Sequence, residues 1–128
     1  MLPRRATAAF ALVGVALATG CGGNSTTAPT VPLTPAERLG LEAAQHAGCA
    51  SCHGADFSGG VGPGWIGLAG SERPLDDGST VVADRAYLIE SIADPSAKRV
   101  AGYSLMMPGN SLSDTEIARI VDYIEALG

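Results

Sequence analysis

The most regular stretch of the chain lies near its C-terminal end. Ile117 is followed by Ile120, Val121, Ile124 and Leu127 at 3, 4, 7 and 10 residues, a stripe of helical period. Ser113-Asp114-Thr115-Glu116 precedes it as a capping box, and Leu112 with Ile117 is placed to form a hydrophobic staple. Thr34-Pro35-Ala36-Glu37 is a second capping box, with proline at the first helical position. It predicts a helix to about Ala47 with Leu39, Ala43 and Ala44 on a modest apolar face. A third helix starts at Asp84 and carries Tyr87, Leu88, Ser91 and Ile92. It stops at Asp94-Pro95, because the residue before proline avoids the helical region. The stretches between are rich in glycine and lack a hydrophobic period. Asp77-Gly78, between Leu75 and Thr80-Val81-Val82, suggests a tight hairpin. The expected fold is all-α with long loops, and such loops need something buried to hold them.

The beginning of the chain follows another pattern. Met1 to Arg5 holds two arginines, and Ala6 to Gly20 then carries no charge. This is the pattern of an export signal, and it is shorter than the roughly 20 residues that span a bilayer. Leu17-Ala18-Thr19-Gly20-Cys21 resembles a bacterial lipobox, which implies cleavage before Cys21 and lipidation of its thiol. Ala18 stands where leucine is more usual; the alternative is ordinary cleavage that leaves Cys21 free. Gly22 to Pro32 is small, polar and proline-containing, the composition of a flexible tether. Three parts are therefore expected: a signal peptide at 1–20, a tether at 21–33 and one domain at 34–128.

Composition narrows the reading. Aromatic residues make up 5% of the 128 residues and glycines number 17, so a large self-sufficient core is not expected and a cofactor or metal is. Removing Arg4 and Arg5 with the signal takes the formal net charge from -5 to -7. That balance excludes a nucleic-acid binder working through a general basic surface. Three cysteines are too few for a disulfide framework. The acids from Asp56 to Asp84 lack a paired spacing for acid–base catalysis, and there is no P-loop, dinucleotide fingerprint or Ser-His-Asp order.

Cys49-Ala50-Ser51-Cys52-His53 is C-x-x-C-H, the attachment motif of c-type haem. Two thiols three positions apart can each add to one haem vinyl group, and the next residue then lies under the ring, where its imidazole can bind iron. A thioredoxin-like C-x-x-C would sit in a βαβ setting, and no strand pattern precedes Cys49. A zinc site would need a fourth strong ligand, for which His46 and Cys21 are poorly placed. Export also suits covalent haem, which is attached outside the bacterial cytoplasm.

With these residues the chain resembles a small class I cytochrome c over about Ala36 to Leu127. Gly62-Pro63-Gly64-Trp65-Ile66-Gly67-Leu68 looks like that family's segment after the haem motif. Gly102-Tyr103 with Met107-Pro108 looks like its distal loop, and Ser113 to Leu127 like its last helix. The stretch from Asp77 to Leu88, with Asp94-Pro95 after it, is similar to the cytochrome c domain fused to subunit II of some haem–copper oxidases, here standing alone. The resemblance implies one haem c on Cys49 and Cys52, with His53 as proximal and Met107 as distal iron ligand. Pro63 would accept a hydrogen bond from the His53 ring. Trp65 and Tyr103 would either reach the haem propionates or simply pack the core. Gly40 and Tyr123 would mark a close crossing of the first and last helices. Ala44 departs from the aromatic many relatives carry, which puts the tightness of that crossing in question. Met106 also stands at a suitable distance, but Pro108 favours an extended backbone at Met107, where neighbouring side chains point apart. His46 reads as solvated, and Lys98 and Arg99 as either propionate partners or an exposed basic pair.

The reading is an electron carrier, not an enzyme, at the outer face of a bacterial membrane in a respiratory chain. Its redox partners would be a terminal oxidase or a dehydrogenase, with the membrane reached through the lipid anchor and no nucleic acid involved. A haem subunit of a periplasmic dehydrogenase is the nearest alternative. A haem enzyme or sensor with an open distal site, and a thiol–disulfide module, are more distant ones.

Overall fold

A computed structural model describes residues 32–128. The expected signal peptide, Cys21 and the expected tether up to Val31 lie outside the described residues. The elements are α1 (Pro35–His46), α2 (Ala50–His53), β1 (Glu72–Pro74), β2 (Thr80–Val82), α3 (Arg85–Ala93) and α4 (Asp114–Ala126). The fold is mostly helical, with one small antiparallel hairpin added to it.

Both capping boxes close. Thr34 Oγ1 accepts from the Glu37 N–H at 3.3 Å while the Glu37 carboxylate accepts from the Thr34 N–H at 2.6 Å. Ser113 and Glu116 repeat the exchange at 3.3 and 2.8 Å. Each cap satisfies helix-end donors that would otherwise lack partners, a contribution of about 1 kcal/mol. Asp84 caps α3 by accepting from the Tyr87 N–H, and the helix ends before Asp94-Pro95. The apolar stripe of α4 is the centre of the core: Ile117, Ile120, Val121, Tyr123 and Ile124 are all buried. Each such side chain contributes roughly 1.5–3 kcal/mol through burial.

α1 crosses α4 with Gly40 at the point of closest approach. A Cβ there would stand 2.0 Å from the Arg119 carbonyl oxygen and 2.9 Å from the Tyr123 Cβ. The buried face of α1 is therefore Gly40 and Ala44, and the expectation that Leu39 belongs to it is corrected: Leu39 is exposed. A face that must meet backbone selects the smallest residues, not the most apolar ones. Ala44 is fully buried, and the aromatic ring set against Tyr123 comes from Phe57, edge-on at 5.5 Å. α3 buries Leu88 and Ile92 and ties to α4 through Arg85, which bonds Asp122 at 2.8 Å and Glu125 at 2.6 Å. These pairs are exposed, so they add little energy and mainly hold register.

β1 and β2 pair from Glu72↔Val82 to Pro74↔Thr80. The tight hairpin expected around Asp77-Gly78 forms: the Leu75 N–H donates to Ser79 O at 2.8 Å and the Gly78 N–H to Leu75 O at 3.1 Å, which leaves residues 76–78 in the turn. Its geometry is set by the Asp77 carboxylate, which accepts from the Ser79 N–H at 2.9 Å and from its hydroxyl at 2.6 Å. Leu75, buried, bridges to Val100 and so joins the hairpin to the loop before α4.

Candidate functional site

The C-x-x-C-H motif lies on α2, a single helical turn that the sequence pattern did not announce. The N–H of Cys49 donates to Ala44 O at 3.0 Å, and that of His53 to Cys49 O at 3.0 Å. One turn of helix brings residues three apart to the same side, so Cys49 and Cys52 share a face. Both are half-buried and neither forms a disulfide. Burial pushes the Cys49 thiol above its ordinary pKa, and the neighbouring Cys52 adds to the shift.

His53 Nδ1 lies 2.7 Å from the Pro63 carbonyl oxygen. A carbonyl can only accept, so Nδ1 carries the proton and Nε2 keeps its lone pair for a metal. The chain between the two residues folds back on itself. The Gly62 N–H donates to Cys52 O at 2.9 Å, and a Cβ at Gly62 would stand 3.2 Å from His53 Cε1. Glycine at 62 thus lets backbone run close beside the imidazole.

Beyond His53 opens a cleft that is partly continuous with solvent. His53, Pro63, Trp65 and Leu68 line it from the segment around and after α2. Leu88 and Ile92 line it from α3, Ile124 from α4, and Tyr103, Met106 and Met107 from the loop before α4. The chain thus brings every expected haem-site residue to one cleft apart from the cysteines, which sit on the same short turn as His53. Of the two methionines Met107 is half-buried, while Met106 is 45% exposed. Trp65 is buried; its ring stacks on Phe57 at 4.2 Å and 15° and lies 5.1 Å from the His53 ring. Tyr103 is half-buried at the cleft. Lys98 and Arg99 reach the cleft but are engaged elsewhere, Lys98 with Glu90 and Arg99 with Asp76 at 3.3 Å. His46 is exposed.

The lining suits a flat apolar group with an anionic edge. It holds mostly apolar side chains and no carboxylate, and Arg73, also at the cleft, has a buried Nε with no hydrogen-bond partner. An unpaired guanidinium nitrogen in such a place is costly unless an anion meets it. A haem propionate would supply such an anion, and the two thiols would supply the covalent attachment. Arg73 was not foreseen from sequence. Its cue was the alternation Glu72-Arg73-Pro74, exposed, half-buried, exposed, but reading it requires the register of a three-residue strand. Phe57 was missed as well, since nothing in its neighbourhood shows a period.

No curated protein matches the chain closely. Residues 38–128 match the family model described as Cytochrome c. That span takes in the Cys49–Cys52 turn, the cleft and the α1–α4 crossing. By this match the chain belongs to the cytochrome c family and carries haem c covalently on Cys49 and Cys52.

Proposed function

We propose that the protein is a one-electron carrier whose iron is ligated by His53 Nε2 and the Met107 thioether. The observation that carries this reading is the presence of both side chains on one cleft whose lining residues include no carboxylate. Haem c supplies a one-electron couple, and a thioether as second ligand raises its potential relative to two imidazoles. The protein's own groups do the rest. Pro63 holds the His53 ring in one orientation through the 2.7 Å bond, which also raises the basicity of Nε2. Arg73, with its unpartnered Nε at the cleft, would balance propionate charge. Leu68, Leu88, Ile92 and Val100 give the cleft an apolar lining that would keep most water from the bound group.

The carrier works after export, held at the outer face of a bacterial membrane by lipid on Cys21, within a respiratory chain. Its partners are a terminal oxidase or a dehydrogenase. Arg85, Lys98 and Arg99 are each paired with carboxylates, which leaves an outer surface dominated by acids and favours a partner with a basic or neutral face. Protein purified from membranes should show low-spin haem in both oxidation states and an acylated Cys21 by mass spectrometry. Five-coordinate high-spin iron would overturn the carrier reading, and an unmodified Cys21 would overturn the anchor.

A further inference from the structure

We propose that Phe57 is a positioning residue for the proximal imidazole and acts through Trp65. The inference deepens the reading of His53 as an iron ligand and rests on it. Phe57 is the one non-glycine residue with positive φ among the described residues, at +58°. Bulky side chains rarely adopt this region. Gly54 and Gly59 on either side take positive φ of +92° and +114° as glycines do. A glycine at 57 would serve the backbone as well, so the ring accounts for phenylalanine there. Backbone held in a disfavoured region beside a functional group argues for a role in positioning it.

The contacts say what is positioned. The Phe57 N–H donates to Gly54 O at 3.0 Å, and its carbonyl accepts from the Trp65 N–H at 2.8 Å. Its ring, 1% exposed, stacks on the Trp65 indole. The indole also meets the His53 ring, at 5.1 Å and 42°, and the Tyr123 ring edge-on at 6.3 Å. Behind Phe57 the edge-on Tyr123 ring joins the stack to the α1–α4 crossing. Trp65 lines the cleft and Phe57 does not, and the Phe57 ring meets the imidazole through the indole between them. Two constraints then hold His53: the Pro63 carbonyl fixes Nδ1, and the braced indole fixes the tilt of the ring. Removing the flat ring at 57 takes away the stacked support of the indole and leaves only the edge-on Tyr123, which lets the imidazole rock and weakens the Pro63 bond.

The test is Phe57→Leu in the haem-loaded protein, read by solvent exchange of the His53 Nδ1 proton in NMR and by the reduction potential. The exchange should accelerate on the order of tenfold, the equivalent of one weakened hydrogen bond. The potential should rise, because a weaker Pro63 bond leaves the imidazole a poorer donor to ferric iron. Ile120→Ala, in the core but outside this stack, should lower thermal stability without moving either readout. If Phe57→Leu does not fold, Trp65→Phe should speed the exchange in its place. Unchanged exchange in the folded variant, or an equal change in Ile120→Ala, would overturn the role of Phe57. Absence of hyperfine-shifted His53 ring protons in the ferric wild type would instead overturn ligation by His53, and the Nδ1 exchange would still report on the brace.

Discussion

Asp56, Asp77 and Asp94 each fold a loop in the same way. Every one of these carboxylates accepts from the backbone N–H of the serine two residues on, at 2.9–3.2 Å, and from its hydroxyl at 2.6–2.7 Å. Such local bonds give a loop without periodic structure a fixed shape. The serine hydroxyl first, and the serine N–H second, hold Asp56 and Asp77 below the ordinary carboxylate pKa. A carboxylate whose folded pKa is lowered stabilises the fold above its unfolded value of about 4. That stability is lost as pH falls through the folded value. Ser79→Ala should therefore let the Asp77 carboxyl titrate at higher pH in an NMR titration and bring acid unfolding to higher pH; an unmoved titration would contradict the account. The Asp-x-Ser spacing is visible in the sequence three times over. The left-handed backbone of Phe57 and the inward arginine of the hairpin are not visible there, because both follow from tertiary contacts rather than from their neighbours in the chain.

Helix starts were legible because they depend on local chemistry. Thr34, Asp84 and Ser113 cap the helices that their spacing predicts, and Asp94-Pro95 ends α3 as proline requires. What a helix face touches was less legible. Leu39 was expected inside and is outside, since α1 meets the backbone of α4 rather than its side chains. The hairpin, by contrast, forms where Asp77-Gly78 implies, closed by the Leu75 N–H on Ser79 O. The α1–α4 crossing tolerates no added atom. The nearest obstacle to a Cβ at Gly40 is a carbonyl oxygen of α4, which cannot rotate aside as a side chain could. Gly40→Ala should cost about 3 kcal/mol or more, the upper range for overpacking, read as a lowered denaturant midpoint with the helices intact. A loss below about 1 kcal/mol would mean the helices can slide apart at little cost.

At the scale of the molecule, the cleft draws on residues from His53 to Ile124, so no short segment contains it. The sequence displayed its chemistry at one place, the C-x-x-C-H turn, and its other parts mainly through the order of small motifs. The distal side depends on which of two adjacent methionines meets the iron. Both border the cleft, but Met107 is the more buried, and Pro108 extends the backbone beneath it. The account stands most directly on the Met–iron charge-transfer band of the ferric protein. Wild type and Met106→Ala should show the band, and Met107→Ala should lose it with a fall in potential. Loss of the band in Met106→Ala alone, or a wild type without it, would contradict ligation by Met107.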